Sequence, residues 1–256
     1  MFFPKLLPWA FTMLRPCGRV CNSLPIAGVD DCINETIVTY LLSSTMVSSV
    51  DFRRPLEAVI PGAQGRILAV MLRTSGELNL RTVARLAGVS IAQASRVLPG
   101  LVDLGVIERR EVPPSSLFRL VPEHIATQLL LDLSNVRGRM IAEMGRAAGK
   151  IRPVPVSVIA YGSFARGDGD VGSDIDVIIV RPTGIDEDDE QWLRTTERWR
   201  TTVNRMSGNV VEVLEVDADD VEKKLAGKSS LWSDVRRDGV VLFGSAIGEL
   251  LSGVHA

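Results

Sequence analysis

Two aspartates stand at the start of a strongly apolar strand, and they constrain the fold of this chain more than any other feature. Asp174 and Asp176 flank Ile175, and residues 177–180 are all apolar. Side chains two positions apart in a strand point to the same face, so the two carboxylates lie side by side. Their repulsion is costly to bury unless a divalent cation lies between them. The pattern therefore predicts a site for Mg²⁺ (or Mn²⁺) at one edge of a sheet.

A turn suited to phosphate precedes this pair by about ten residues. Gly162 allows backbone N–H groups to approach an anion closely, and Ser163 adds a hydroxyl donor. Arg166 is placed to reach the same phosphates, and a short helix starting at this turn would add partial positive charge. A phosphate-binding turn beside a metal-binding pair predicts phosphoryl or nucleotidyl transfer.

This spacing resembles the nucleotidyltransferase superfamily of the DNA polymerase β type, whose motif is Gly-Ser, about ten residues, then Asp-x-Asp. The string from Gly162 to Gly167, followed by Ser173 to Asp176, looks most like the minimal nucleotidyltransferases. The resemblance covers Val154 to Phe243, roughly a third of the chain. It implies that Asp174 and Asp176 are catalytic and bind the metal. It also implies that the nucleoside triphosphate is bound by Gly162, Ser163, Arg166 and Ser173.

The family completes its site with a third acidic residue on a later strand. Here the strand from Val210 to Val216 offers Glu212 or Glu215, which point to opposite faces. Glu212 is the preferred candidate as metal ligand and catalytic residue, because a charged side chain between apolar neighbours in mid-strand indicates a functional role. The family more often has aspartate here. The implied reaction transfers NMP from an NTP to a hydroxyl of a protein, an RNA or a small molecule.

Helix and strand signals before this region predict a winged helix-turn-helix over 51–121. A short helical pattern over 65–72 and a second helix from Asn79, ended by Gly88, come first. A third helix runs from Ile91 to Leu104, with Ser90 as N-cap and Gly105 after its end. Pro99 predicts a kink or early break in that helix. Two strands around residues 113–116 form the expected wing.

The winged-helix segment is basic, which is consistent with contact to double-stranded DNA. Between residues 61 and 121 eight arginines stand against four acidic residues, in a chain whose net charge is −2. Side chains of the third helix are of types that reach base edges, and the wing strands carry arginines. The predicted DNA-binding residues are Gln93, Ser95, Arg96, Arg109 and Arg110. Winged helices that serve only protein contacts are the alternative.

The predicted fold class is a two-domain α+β chain. A connector helix over 122–150 carries a broad apolar stripe, which favours a homodimer. After it, strands alternate with helices over 151–256, as in a small α/β nucleotidyltransferase domain with a mixed sheet.

Residues 1–50 have no sustained period and are predicted to be a disordered extension, of which the part before Met46 could lie upstream of the natural start. The apolar residues near the N-terminus are interrupted by prolines and charges, so no membrane association is expected. Cys17, Cys21 and Cys32 form no disulfide framework, which favours a cytoplasmic location.

Other interpretations compete for the same residues. Gly167-x-Gly169-x-x-Gly172 fits a dinucleotide-binding pattern, but it leads into a strand where a helix is required. A calcium loop is rejected because Ile179 stands at its twelfth position. The main alternative function is a DNA-binding transcriptional regulator, or a toxin–antitoxin component with a partner protein, whose α/β domain only senses nucleotide. Antibiotic modification is a third option.

Overall fold

The computed structural model describes residues 49–253. The three cysteines and nearly all of the predicted N-terminal extension lie outside the described residues. Its last two residues, Ser49 and Val50, are described and have defined hydrogen-bond partners.

The first part of the described chain is a winged helix. Its elements in chain order are α1 (Pro55–Val59), α2 (Ala63–Arg73), β1 (Leu78–Asn79), α3 (Leu80–Leu86), α4 (Ile91–Asp103), β2 (Ile107–Val112) and β3 (Ser115–Leu120). The three strands form an antiparallel sheet in the order β1-β3-β2. The predicted helix-turn-helix and wing are therefore confirmed, whereas β1 was not expected because two residues are too short to show a period.

Local signals place the helix ends of this domain as predicted. Asn79 caps α3 by accepting a hydrogen bond from the amide of Thr82. Ser90 and Gln93 form a reciprocal capping box at the start of α4. Gly105, with a φ of 73°, follows the end of that helix.

Pro99 does not end α4, so the expected early break is wrong. The helix continues to Asp103, and Leu98 and Leu101 on either side of the proline are almost fully buried. Burial of these two side chains in the domain core offsets the backbone hydrogen bond that a proline removes.

The second part of the chain is built on a four-stranded sheet. Its elements are β4 (Ser157–Tyr161), α7 (Gly162–Arg166), β5 (Ile175–Arg181), α8 (Glu190–Ser207), β6 (Val211–Asp217), α9 (Ala218–Ala226), α10 (Ser230–Asp238), β7 (Val240–Gly244) and α11 (Ile247–Leu251). The strand order is β6-β5-β4-β7, with β5 and β6 parallel and the other pairs antiparallel. This is the predicted mixed sheet.

Both faces of the sheet are covered by helices. Val177 and Ile179 of β5 face one core, which includes Trp192 and Trp199 of α8. Ile178 and Val180 face a second core formed with α9, α10 and α11. The continuous apolar run of residues 177–180 is therefore that of a strand segment buried on both faces.

The segment between the two domains is two helices, α5 (Ile125–Ser134) and α6 (Val136–Ala148), so the expectation of one connector helix over 122–150 is wrong. The break is at Asn135, whose φ of −100° and ψ of 23° lie outside the helical range. Helix α5 packs on α1 and α2, whereas α6 packs on α8 and β7.

The apolar stripe of this segment is divided in the same way. Met140 and Met144 of α6 are buried in the core under the four-stranded sheet. Ile125 and Leu129 of α5 are 74% and 64% exposed. Ala126 and Leu130 of α5 pack against the winged-helix core, so only Ile125 and Leu129 of the stripe are exposed for contact with a second copy.

A short arm, residues 49–54, joins the start of the winged helix to the second domain. Phe52 is buried in the same core as Met144, and the amide of Val50 donates to the carbonyl of Ser207 at 2.9 Å. The arm was assigned from sequence to the extension and the winged helix, but its contacts are with the other domain. No helix in residues 49–253 is long and apolar enough to cross a membrane.

Met144→Ala should lower the free energy of unfolding by about 2–5 kcal/mol, because it leaves a cavity in a closed core. Leu129→Ala, a similar truncation on exposed α5, should change it by less than about 0.5 kcal/mol. Urea denaturation of both variants measures the difference. Equal effects would contradict the assignment of α6 to the core.

Candidate active site

The candidate site lies where three neighbouring strands place polar side chains on one face. Tyr161 is the cross-strand partner of Asp176, and Asp176 is the partner of Glu212 in the parallel pair. Paired residues on adjacent strands point to the same side of a sheet. Two residues earlier, Asp174 precedes β5 and is exposed. The structure therefore brings Asp176 and Glu212 together, which the sequence could only suggest.

The electrostatics of this face confirm that the acidic groups influence each other. Burial raises the pKa of Asp176, and the negative charges of Asp174 and Glu212 raise it further, while Arg166 acts in the opposite direction. The pKa of Tyr161 is raised by burial and then by Asp176 and Glu212. The face is a negatively charged surface, with Arg166 close to Asp176 and Arg200 close to Glu212.

The Gly-Ser turn contacts this face directly. Gly162 begins α7 with a φ of 70°, a conformation that side chains with a Cβ rarely adopt. A Cβ at Gly162 would also overlap the Oδ2 atom of Asp176. Both the backbone conformation and this close approach require glycine. The turn and the carboxylate are therefore a single packed unit.

The remaining residues of the turn are held in place but keep polar groups accessible. Ser163 is half-buried, and its carbonyl accepts a hydrogen bond from the amide of Asp168 at 2.9 Å. The side chain of Arg166 is 39% exposed, and its nitrogens lie 3.5 Å from Asp168 and 3.9 Å from Asp238. Such half-exposed pairs are weak, so Arg166 can turn towards another anion.

Ser173, predicted to bind nucleotide, has its hydroxyl engaged within its own loop. It donates to Oδ1 of Asp170 and accepts from the amide of Asp170, both at 3.0 Å. This bond and the amide of Gly172 hold the pKa of Asp170 below its usual value. Ser173 therefore shapes the loop that leads to Asp174.

Glu212 and Glu215 have clearly different surroundings. Glu212 is exposed beside Asp176. Glu215 lies on the opposite face, accepts a hydrogen bond from Nε1 of Trp192 at 2.7 Å and pairs with Arg181 at 3.4 Å. Glu215 thus has structural partners away from the aspartates, and Glu212 is the acidic residue that this sheet places beside them.

The donor set of the site consists of carboxylate oxygens, the type that Mg²⁺ prefers. Within residues 49–253, however, no three His, Cys, Asp or Glu side chains converge closely enough to form a complete metal site. Mg²⁺ sites commonly use one or two carboxylates and complete their shell with phosphates and water. Asp174 and Asp176 supply donors of this type, and the charge of Asp174 adds to the effect of burial in raising the pKa of Asp176.

Asn209 is a site-forming residue that sequence reasoning missed. It is 2% exposed, its Nδ2 donates to the carbonyl of Ser173 at 2.9 Å, and its Oδ1 accepts from the amide of Val50 at 3.1 Å. It therefore ties the loop before Asp174 to the N-terminal arm. A lone asparagine in a loop has no periodic signal, so only its burial identifies it.

The predicted DNA-binding residues of α4 differ in whether their side chains are free to contact DNA or are used within the helix. Ser95 and Arg96 are exposed. Gln93 uses its side-chain oxygen to accept from the amide and hydroxyl of Ser90 in the capping box. Helix capping is thus a sufficient reason for a glutamine at this position.

The two arginines of the wing are engaged in surface ion pairs. Arg109 pairs with Glu111 at 2.7 Å, and Arg110 forms a two-pronged contact with Glu77. A groove of about 1000 Å³ runs between α4 and the wing and is lined by Ser95 and Arg109, among others. Exposed pairs of this kind contribute little, so they do not prevent contact with a phosphate backbone.

Residues 146–238 match the family model of a nucleotidyltransferase domain. This match confirms the prediction that the second part of the chain carries such a domain. No curated protein sequence matches the chain.

Three solved structures show partial similarity. The transcriptional regulator BldR from Sulfolobus solfataricus is 12% identical, with 50% of this chain and 90% of that chain covered and a TM-score of 0.28. A MarR-family transcriptional regulator from Rhodococcus sp. RHA1 is 17% identical, with coverage of 49% and 85% and a TM-score of 0.27. A protein described as a nucleotidyltransferase, from Sulfolobus solfataricus, is 25% identical, with coverage of 41% and 80% and a TM-score of 0.24. At such scores the fold assignment rests on the element order and strand pairing of this chain.

Gly162→Ala should destabilise the protein by roughly 1–2 kcal/mol from backbone conformation alone, and displacement of Asp176 should add to this. Gly172→Ala is the matched control, because its Cβ would meet only Oδ1 of Asp170 at 3.6 Å, an ordinary contact. Chemical denaturation of both variants gives the comparison. A Gly162→Ala protein as stable as the control would show that the turn does not pack on Asp176 as described.

Proposed function

We propose that this protein is a Mg²⁺-dependent nucleotidyltransferase that transfers NMP from an NTP to an acceptor hydroxyl, and that its winged helix binds double-stranded DNA. The observation that carries the first part is the packing of the Gly162–Ser163 turn against Asp176, beside Glu212 on the next strand. A turn suited to phosphate that packs against one carboxylate of the pair supports a nucleotidyl-transfer site at this edge of the sheet.

Gly162, Ser163 and Arg166 would hold the triphosphate. The turn leaves the backbone at Gly162 unobstructed by a side chain, and Ser163 offers a hydroxyl. Arg166 carries the positive charge that already acts on Asp176. Its guanidinium is suited to bind a phosphate oxygen in place of its weak contacts to Asp168 and Asp238.

Asp174 and Asp176 would hold Mg²⁺ against the triphosphate. When bound, the cation neutralises phosphate charge and orients the α-phosphate for in-line attack. The two aspartates position it because one precedes β5 and the other is the second residue of that strand.

Glu212 would accept the proton of the acceptor hydroxyl. The hydroxyl oxygen forms a bond to the α-phosphorus, the bond from that phosphorus to the bridging oxygen breaks, and pyrophosphate leaves with both electrons. Glu212 is exposed at the edge strand β6, so an acceptor can approach it from solvent. Positioning and charge neutralisation carry most of such a reaction.

Incubation of the protein with labelled ATP, CTP, GTP or UTP, Mg²⁺ and cell lysate tests the activity. Label transfer should require the metal and should be lost in Asp174→Ala and in Asp176→Ala. Transfer that persists in both variants would exclude this site as the active site.

Glu212→Gln should lower kcat by about 10²–10⁴-fold, the range typical of a lost general base. Glu215→Gln is the matched control on the same strand, and it should keep activity within a few-fold of wild type, since its oxygen still accepts from Trp192. Steady-state kinetics with the preferred NTP measure both effects. A larger loss in Glu215→Gln would assign the third carboxylate to that residue instead.

DNA binding is supported by the exposed polar side chains of α4 and the groove beside the wing. The helix carries Ser95 and Arg96 on its accessible surface, and the wing adds Arg109 and Arg110. The positive balance of this domain would favour contact with phosphates.

Arg96→Ala should weaken binding to a cognate duplex by about tenfold, within the 1–3 kcal/mol expected for an arginine that reads a base edge. Arg73→Ala removes the same charge from an exposed position on α2 and should cost less. Fluorescence anisotropy with genomic fragments selected by the wild-type protein measures both. Equal losses would mean that α4 is not the recognition helix.

A second candidate function is a DNA-binding regulator, or a toxin–antitoxin component, whose nucleotidyltransferase domain senses nucleotide without turnover. This alternative uses the same turn and acidic face for nucleotide binding alone. Tight nucleotide binding without label transfer, together with operator binding, would support it. Exposed Ile125 and Leu129 leave a homodimer as a proposal, which sedimentation velocity can test.

A further inference from the structure

Arg137 of α6 reaches across to the end of the Gly-Ser helix. Its Nε donates to the carbonyl of Phe164 at 2.7 Å, and its Nη2 donates to the carbonyl of Ala165. Its guanidinium also lies over the Phe164 ring, with 5.9 Å to the centroid. One half-buried side chain thus makes two backbone contacts and one ring contact with a single five-residue helix.

A five-residue helix is not stable without contacts to the rest of the protein. The last four carbonyls of any helix have no intrahelical partner, and nucleation of an isolated turn is unfavourable. Within α7 the carbonyl of Phe164 receives one bond from the amide of Gly167 at 3.1 Å. The charged donors of Arg137 supply the additional partners. The planar fork of an arginine can reach two adjacent carbonyls at once, which the single ammonium of a lysine does less well.

The buried side chain of Phe164 also fixes this helix to the protein core. It is 1% exposed, and its ring meets that of Phe52 edge-to-face with centroids 4.9 Å apart. The ring is therefore enclosed by Phe52 of the N-terminal arm and Arg137 of α6. Ser163 and Arg166, the residues proposed to bind phosphate, stand on either side of the segment that Arg137 holds.

We propose that Arg137 is a positioning residue, which holds the carbonyl end of α7 so that Ser163 and Arg166 face the triphosphate. This inference rests on the proposed function, which supplies the triphosphate. Arg137 itself is directed at backbone carbonyls and acts through the turn. Removal of the guanidinium group should destabilise the turn. It should therefore weaken nucleotide binding more than it slows the chemical step.

The test compares Arg137→Gln, Arg137→Lys and a control, Arg139→Gln, on the full chain. Arg139 lies two residues further along α6, its side chain is 66% exposed, and it forms a surface ion pair with Asp132 at 3.5 Å. The first measurement is amide hydrogen exchange in peptides covering 162–170, where the amides of Gly167 and Asp168 donate to Phe164 and Ser163. The second is KM and kcat for whichever of the four NTPs the wild type uses.

In Arg137→Gln we expect exchange in 162–170 to increase at least about tenfold, as for the loss of a charge-assisted hydrogen bond, with β4 and β5 unchanged. KM should rise by a similar factor, with a smaller change in kcat. In Arg137→Lys, both the exchange rate and KM should lie between those of wild type and Arg137→Gln. In Arg139→Gln, both should equal the wild-type values.

Unchanged exchange in Arg137→Gln would overturn the proposal whatever the activity. Faster exchange with unchanged KM would also overturn it, because the turn would then be loosened without consequence for nucleotide. If the wild-type protein transfers none of the four nucleotides, the proposed function fails. In that case KM is replaced by calorimetric affinity for ATP with Mg²⁺, and an affinity equal to that of wild type would overturn the role of Arg137.

Discussion

The contact between the backbone at Gly162 and the carboxylate of Asp176 is the interaction on which the rest of the site depends. The turn can approach this closely only because position 162 lacks a Cβ. The approach places the turn that we propose to bind phosphate beside Asp176, whose pKa is raised by burial and by two neighbouring acids. In the proposed function, a cation with a polyphosphate would offset the mutual repulsion of these acidic groups.

Elements distant in sequence converge on that contact. Asn209 joins the loop before Asp174 to Val50, Phe52 packs on Phe164, and Arg137 holds the end of the same short helix. The N-terminal arm leads directly into α1 of the winged helix, and α6 follows α5, which packs on that domain. The segments that connect the two domains are therefore also the segments that support the Gly162–Ser163 turn.

The failures of sequence reasoning follow from the same arrangement. The apolar residues of 122–150 have one continuous helical period, yet Asn135 divides them between two cores. Periodicity reports that a face is buried but not what buries it. Pro99 was expected to kink or break α4, and the helix is not broken there, because burial of Leu98 and Leu101 offsets the lost hydrogen bond. Ser173 belongs to the motif, and its hydroxyl is used within its own loop.

The sequence by itself determined the features that rest on local chemistry. These are the capping residues of the winged helix, the apolar run of β5 with its paired aspartates, and the glycine that starts the turn. Such signals involve residues close in the chain, so spacing alone reveals them. Only the tertiary structure decided that Glu212 lies beside Asp176 while Glu215 bonds Trp192, because that depends on which strand pairs with β5 and in which register. It likewise decided the roles of Asn209 and Arg137, whose partners are 27 or more residues away in the chain. Contacts across such distances depend on packing, which no local pattern encodes.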